Sequence, residues 1–185
     1  MPDAHQVLLA ELRTHALVIR EVTLTSGQRA SYYVDAKRTL LRPVGFRATG
    51  ELVAEIANDL GAKAVGGMSI GADPIACAAI AVPAGEGLEA FFVRKERKEH
   101  GLQRWLEGPE LEPGTGCLVV EDVVTTGGST VRAIERVLEE GHEVLGVVTV
   151  VDRLAGAGEA VEAAAGVPLR ALVTIDELYP DRPDR

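Results

Sequence analysis

The stretch from Cys117 to Thr130 constrains this chain more than any other. Four apolar or β-branched residues lead to two adjacent carboxylates, Glu121 and Asp122, and then to small hydroxyl residues and glycines ending at Thr130. That succession is a strand feeding a loop. Beyond it Val131, Ile134, Val137 and Leu138 fall at helical spacing, with Arg132, Glu135, Arg136, Glu139 and Glu140 between them. Gly141 closes the segment as a C-cap would. Strand, loop and helix in that order form the unit of an open α/β sheet.

In such sheets ligands bind beyond the carboxyl ends of the strands, where the loop from Thr125 to Thr130 would lie. Gly127 and Gly128 let the backbone turn its amides inward, and the hydroxyls of Thr125, Thr126, Ser129 and Thr130 add donors. The following helix points its positive end at the same place, so a phosphate fits there. Glu121 and Asp122 would repel that phosphate. They suit neutral hydroxyls, which donate to carboxylates, or a divalent cation, and a ribose phosphate offers hydroxyls and phosphate together.

The segment from Glu121 to Thr130 closely resembles the phosphoribosyl pyrophosphate signature of the type I phosphoribosyltransferases. In that family two acidic residues hold the ribose hydroxyls and the loop holds the 5-phosphate. A solvated turn with an N-cap would account for Ser129 or Thr130 but leaves Glu121 and Asp122 without a reason. Other phosphate loops fit worse. No Gly-x-x-x-x-Gly-Lys pattern occurs, and Gly114 and Gly116 precede the strand, where a dinucleotide fingerprint would follow it.

With 185 residues and no break in composition, residues 1–185 read as one domain, long enough to bury about 70% of its unfolded surface. The N-terminal hood covers roughly residues 1–40 and the core roughly 41–180. Cys77 and Cys117 read as small core residues of a reducing compartment. No apolar run is long enough to span a membrane, and Met1 to Glu11 lacks a basic, apolar leader, so the expected location is the cytoplasm. A net charge of −9 argues against nucleic acid as the main partner, because phosphate backbones reward excess Lys and Arg. The charge that draws in an anionic substrate must therefore be local. The chain has four lysines against fifteen arginines, and two of the four, Lys95 and Lys98, fall in one short segment.

Taken in order, Ala4 to Ala16 predicts a helix with Val7, Leu8, Leu12 and Ala16 on one face. Val18 to Leu24 and Ser31 to Ala36 predict the strands of a small hairpin, in which Tyr32 and Tyr33 are packing residues by composition. Pro43 to Leu60 predicts a helix ended by Gly61. Ala64 to Gly67 is a short strand, after which Asp73 caps and Pro74 begins a helix reaching about Val82. Glu89 to Val93 is a third strand running into the charged stretch Arg94 to Gly101, and Trp105 to Gly116 is a polar return hairpin. Val144 to Val151 is apolar throughout, as a strand buried on both faces should be, and it places Arg153 at the ligand end of the sheet. Ala160 to Ala165 is a small helix, Arg170 to Val173 a last strand, Ile175 to Tyr179 a turn, and Pro180 to Arg185 a frayed tail.

Two further stretches narrow the resemblance. Leu24 to Gly27 followed by Ser31 to Asp35 looks like the N-terminal segment of the orotate phosphoribosyltransferases, although many members carry lysine where this chain has Thr25. The stretch from Arg94 to Gly101 is a solvated loop by charge alone. Compact lysine charges beside a histidine also suit a mobile lid over a diphosphate, and Arg94, Lys95, Lys98, His100 and Gly101 match the catalytic loop of that family. The loop from Met68 to Pro74 resembles the family's pyrophosphate loop, while by spacing alone it is an ordinary strand-to-helix turn. Arg153 could be a surface charge, and the family uses an arginine there for the orotate carboxylate.

The resemblance, from about Leu8 to Tyr179, implies the type I phosphoribosyltransferase fold: an α/β domain with a central mostly parallel sheet flanked by helices, and a small N-terminal hood. It implies transfer of ribose 5-phosphate from phosphoribosyl pyrophosphate to orotate, giving orotidine 5′-monophosphate and pyrophosphate in pyrimidine (UMP) biosynthesis. Lys95, Lys98, His100 and Asp122 are the implied catalytic residues. Phosphoribosyl pyrophosphate would meet these together with Arg94, Glu121, Val123, Val124, Thr125, Thr126, Gly127, Gly128 and Ser129. Orotate would meet Thr125, Arg153 and Tyr33. Mg2+ is the implied cofactor, held mainly by the substrate and through water by Glu121 and Asp122, with no direct protein ligand. The implied assembly is a homodimer that shares its active sites. A purine or uracil salvage enzyme would share residues 121–130 but would not require Arg153 or the charged loop. A regulatory protein binding the same ribose diphosphate would be expected to show a basic nucleic-acid face.

Overall fold

The computed structural model describes residues 3–23, 29–96 and 104–185. Its architecture follows from three strands that are apolar almost from end to end. β3 (Ala64–Met68), β6 (Gly116–Val124) and β7 (Glu143–Asp152) are buried over nearly their whole length. Strands of that kind need cover on both faces, and a parallel sheet with crossover helices supplies it. β4 (Glu89–Val93), β5 (Leu106–Glu107) and β8 (Leu169–Thr174) complete a six-stranded sheet in the order β5-β4-β3-β6-β7-β8. Every neighbouring pair is parallel except β4 with β5, which returns along the edge.

Alternation along β6 sends Leu118 and Val120 to one face and Cys117 and Val119 to the other. The first face packs under α3 (Pro43–Leu60), with Val53, Ile56 and Ala57, and under the N-terminal residues Leu8, Leu12, Tyr32 and Val34. The second packs against α5 (Gly128–Glu139), through Ala133, Ile134 and Val137, and against Val161 of α6 (Ala157–Ala165). Pro43 opens α3 and Gly61, at φ 71°, closes it, so both ends fall where the sequence predicts.

The hood is a separate two-stranded sheet, β1 (Leu17–Thr23) antiparallel to β2 (Arg29–Val34). It follows α1 (Ala4–Glu11), whose last turn widens into a π-helical turn over Leu12–Ala16. β2 stops at Val34 because the chain turns at once into the short helix α2 (Lys37–Leu40), two residues before the predicted end. Predicted residues Leu24 to Gly27 of this region, Thr25 among them, lie outside the described residues.

Three local expectations are corrected. α4 (Asp73–Ile80) is preceded by Ala72 as its N-cap, and Asp73 sits inside the first turn, where it accepts from the Ser69 hydroxyl at 2.8 Å. α6 starts at Ala157, earlier than predicted, because Gly156 at φ 89° supplies the turn. The C-terminal tail is docked. After α7 (Ile175–Leu178), Arg182 pairs with Asp176 and Asp184, and Asp184 accepts from the Tyr32 hydroxyl at 3.0 Å. These partners are charged or polar, and the contact between Asp184 and Tyr32 spans 152 positions, so local periodicity does not show them.

Candidate active site

The chain leaves β3 toward β4 on one side and resumes at β6 on the other. The sheet therefore reverses its order between β3 and β6, and the crevice beyond their carboxyl ends is where α/β sheets bind ligands. Two loops flank it: residues 69–72 after β3 and residues 125–127 after β6. A cis peptide joins Ser69 to Ile70 in the first.

Glu121 and Asp122 sit at the end of β6 and are only 5% and 8% exposed. They are successive strand residues with different partners, yet both carboxylates reach the loop at Gly71. Glu121 Oε2 accepts from the hydroxyls of Ser129 at 2.7 Å and Thr130 at 3.3 Å, on the first turn of α5. Asp122 Oδ1 accepts from the Val123 amide at 2.9 Å, and its Oδ2 accepts from the Lys37 ammonium at 2.9 Å. Burial, reinforced by the neighbouring Asp122 charge and only partly relieved by the Ser129 hydroxyl, pushes the Glu121 pKa up to about 7. Glu121 is therefore held rigidly by its hydroxyl partners, and its charged form is disfavoured near neutrality.

Gly71 closes the other side. A Cβ built there would lie 2.6 Å from Asp122 Oδ1 and 3.0 Å from Glu121 Oε1, so only a glycine lets the β3 loop rest on both carboxylates. Neither Lys37 nor Gly71 is singled out by the sequence. Lys37 lies 85 positions before its partner, and its one local signal is that it is a lysine in a chain that prefers arginine.

The loop after β6 has the expected shape, with one change. Val124 is buried, Val123 half-buried, Thr125 and Thr126 are exposed, and Gly127 turns at φ 83° to start α5 at Gly128. The Ser129 and Thr130 hydroxyls, expected to face an anion, are instead committed to Glu121. What remains for a phosphate are the first-turn amides of α5, which the helix itself leaves without carbonyl partners, and the two exposed threonine hydroxyls.

Arg153 follows β7, and its amide donates to Val124 O at 3.0 Å, which sets it beside the end of β6. Its guanidinium lies 5.4 Å over the Tyr32 ring, Nη2 donates to the Tyr32 hydroxyl at 3.4 Å, and Nε is buried with no partner. Leu154 next to it adopts φ 55°, rare for a bulky residue, and donates its amide to Asp152 Oδ1 at 2.8 Å. Tyr32 is buried, edge-on to Tyr179 at 5.4 Å. Tyr33, which the resemblance names for orotate, points to the other face of the hairpin. It is 41% exposed and shares a surface hollow with Val18, Arg20, Asp35 and Arg38. Tyr32 is thus the aromatic that reaches Arg153, and register alone, unreadable from composition, decides between the two.

At the end of β4, Lys95 is exposed, while Arg94 is drawn back to Glu107 at 3.0 Å and to Glu96 O at 3.2 Å. Both line a cavity of about 560 Å3 with Ser69, Ile70, Phe92, Glu96 and Glu107. Lys98 and His100 lie outside the described residues. Another cavity, of about 430 Å3, lies at the opposite, amino end of the strands, near Glu112 and His142, away from the acidic pair.

Hard oxygen donors and a diphosphate suit Mg2+, which takes one or two carboxylates and completes its shell with water and substrate phosphate. Glu121 and Asp122, already bonded to Ser129, Thr130 and Lys37, suit contact with it through those waters, and among the described residues no cluster of three or more His, Cys, Asp or Glu forms an all-protein metal cage.

Residues 51–169 match the family model of the phosphoribosyl transferase domain. The chain is 48% identical over 180 residues to an orotate phosphoribosyltransferase of Streptomyces avermitilis, covering 96% of this chain and 98% of the relative. It is similar to the crystal structure of a Mycobacterium tuberculosis orotate phosphoribosyltransferase with Fe(III) dicitrate, at TM-score 0.86 and 43% identity, over 96% and 99% of the two chains. The same Mycobacterium tuberculosis enzyme in complex with 5-phospho-alpha-D-ribosyl 1-diphosphate superposes at TM-score 0.81 with 39% identity, again over 96% and 99%.

Proposed function

This chain belongs to the phosphoribosyl transferase domain family, among the orotate phosphoribosyltransferases, and on that basis we propose the course of its reaction. It transfers ribose 5-phosphate from phosphoribosyl pyrophosphate to orotate, giving orotidine 5′-monophosphate and pyrophosphate, a step of pyrimidine synthesis. The observation that carries the reading is the junction of β6 and β7. There one hydrogen bond, Arg153 N to Val124 O, sets a guanidinium with an unpartnered buried Nε beside the last residue of the strand that carries the two buried carboxylates. A carboxylated base and a ribose could be held side by side in that arrangement.

Glu121 and Asp122 accept the ribose hydroxyls, and the α5 first-turn amides with Thr125 and Thr126 take the 5-phosphate. The C1–oxygen bond breaks with its electron pair leaving on the diphosphate, and the deprotonated ring nitrogen of orotate forms the new bond to C1. Buried carboxylates beside the ribose favour the positive charge that grows there. Lys95, with Arg94, Lys98 and His100, offsets the negative charge growing on the diphosphate. Arg94 has to exchange Glu107 for substrate to do so. Mg2+, carried in with the substrate and met through water by Glu121 and Asp122, would supply further neutralisation of the leaving group. Arg153 pairs with the orotate carboxylate, which a purine or uracil lacks.

The same reading has the enzyme act as a homodimer in the cytoplasm, each Lys95 serving the neighbouring subunit. Support for sharing is that Lys95 is exposed and lines a cavity whose walls do not include Glu121 or Asp122. Support for a reducing compartment is that Cys77 and Cys117 are both free. No helix of the described residues is long and apolar enough to cross a membrane. The test of the activity is loss of orotate absorbance on adding phosphoribosyl pyrophosphate and Mg2+, with uracil and hypoxanthine as controls. Orotate alone should be consumed; preferential use of either control would overturn the assignment.

A further inference from the structure

Lys37 stands where the hood joins the core, at the first position of α2, and its ammonium reaches into the crevice. Nζ lies 2.9 Å from Asp122 Oδ2 and 3.4 Å from Asp35 Oδ1. Among the described residues it is the one cation paired with either member of the acidic pair. The Asp122 carboxylate is 12% exposed and Lys37 39%, so the contact is sheltered on the carboxylate side and open on the lysine side.

The other atoms around Asp122 leave it little freedom. Oδ1 is taken by the Val123 amide and is abutted by Gly71. Oδ2 is therefore the atom with lone pairs to spare, and Lys37 fixes where they point. Asp35 in turn limits where the ammonium can go, since it draws the lysine from the hood side. A bare clasp between hood and core could be made at any surface pair. This one ends on a carboxylate that a ribose hydroxyl must meet.

We infer that Lys37 is a positioning residue of the ribose subsite: held by Asp35, it aims Asp122 Oδ2 at a hydroxyl of the incoming phosphoribosyl group and so links the hood to sugar binding. The inference rests on the reading of Glu121 and Asp122 as ribose acceptors. Lys37 itself carries its charge firmly: burial pulls its pKa down, but Asp122 and Asp35 together more than offset that, leaving the pKa above its usual value.

A double-mutant cycle separates positioning from a direct or merely structural role. Binding of phosphoribosyl pyrophosphate with Mg2+, without orotate, is measured by calorimetry for the unmodified dimer, Lys37→Met, Lys37→Arg, Asp122→Asn and the Lys37→Met/Asp122→Asn pair. Pyrophosphate with Mg2+ is titrated alongside. Lys37→Met should weaken substrate binding about tenfold, the scale of one charge-assisted hydrogen bond, and Lys37→Arg should recover most of it. In the Asp122→Asn background the lysine change should add nothing, and pyrophosphate binding should be the same throughout. An equal loss in both backgrounds would mean a structural clasp, and a loss of pyrophosphate affinity would mean a direct diphosphate ligand; either overturns the inference. If Asp122→Asn weakens binding and Lys37→Met does not, the inference alone fails. If Asp122→Asn itself binds normally, the ribose reading of the acidic pair fails with it.

Discussion

Replacing Gly71 with alanine adds one methyl group where the β3 loop rests on the acidic pair. The new carbon would lie 2.6 Å from Asp122 Oδ1, 2.9 Å from its Cγ and 3.0 Å from Glu121 Oε1. Non-bonded atoms of this kind are comfortable from about 3.5 Å, so the Asp122 carboxylate has to retreat by about 1 Å. It cannot do so freely, because Oδ1 is bonded to the Val123 amide and Oδ2 to Lys37. One of those bonds breaks, or the loop lifts away from the pair. Displacement of a substrate-positioning group by about 1 Å costs on the order of 10²-fold in rate, or about 3 kcal/mol of transition-state binding.

Stability should behave differently. Gly71 is not among the residues with a left-handed backbone, so alanine meets no conformational penalty, and the shortened list of unfolded conformations favours the variant by about 0.4–1 kcal/mol. That gain offsets the crowding in part. The net change should stay within about 1 kcal/mol, a shift of roughly 2–4 °C in Tm for a chain of this size. Steady-state kcat and KM for both substrates, with a thermal melt, make the assay. Turnover within about threefold of the unmodified enzyme would refute the reasoning, since the carboxylates would then not need their observed places. So would a Tm loss of more than about 10 °C, which would mark Gly71 as a folding residue.

Two further outcomes follow from the same geometry. A Glu121 pKa of about 7 in the folded chain, against an ordinary 4.5, means that the folded state binds the extra proton between those values. The group's contribution to stability is thus full below about pH 4.5 and is lost as pH rises through 7, by about 3 kcal/mol in all. In metal-free buffer, Glu121→Gln should therefore raise the melting temperature more at pH 8 than at pH 5, and an equal effect at both would contradict the shift. If the site is shared as proposed, Lys95→Ala and Asp122→Asn dimers should each be inactive, and equal amounts allowed to exchange should recover roughly a quarter of full activity. Random exchange makes about half the dimers mixed, each with one intact site of two. Demonstrated exchange without recovery would rule out sharing.

Much of the scaffold is legible because it is written locally. The helix from Pro43 to Leu60 announces both ends with a proline and a glycine, and the apolar run from Val144 to Val151 reads as a strand buried on both faces. The acidic pair and its glycine loop are legible for a chemical reason, since few other purposes place two carboxylates before a phosphate-shaped turn. What local pattern cannot reach are contacts made across the chain. Lys37 meets Asp122 only because the hood folds back over the sheet, and the docking of Asp184 on Tyr32 depends on the same closure. Tyr32 and Tyr33 are neighbours with equal propensities, and tertiary packing alone decides that Tyr32 turns toward Arg153. The Ser129 hydroxyl looks free in sequence because its partner, Glu121, lies across the strand-to-helix turn.

The central claim, that this site pairs a ribose diphosphate with a carboxylated pyrimidine, is tested most directly by kcat/KM for orotate and for uracil in the unmodified enzyme and in Arg153→Ala. Leaving the orotate carboxylate without its guanidinium should cost about 2–5 kcal/mol, which is between roughly 30-fold and several thousand-fold in orotate kcat/KM. Any residual turnover of uracil should change by less than about threefold, because uracil presents no charge for Arg153 to meet. Orotate turnover that survives the substitution, or uracil as the better substrate of the unmodified enzyme, would contradict the account.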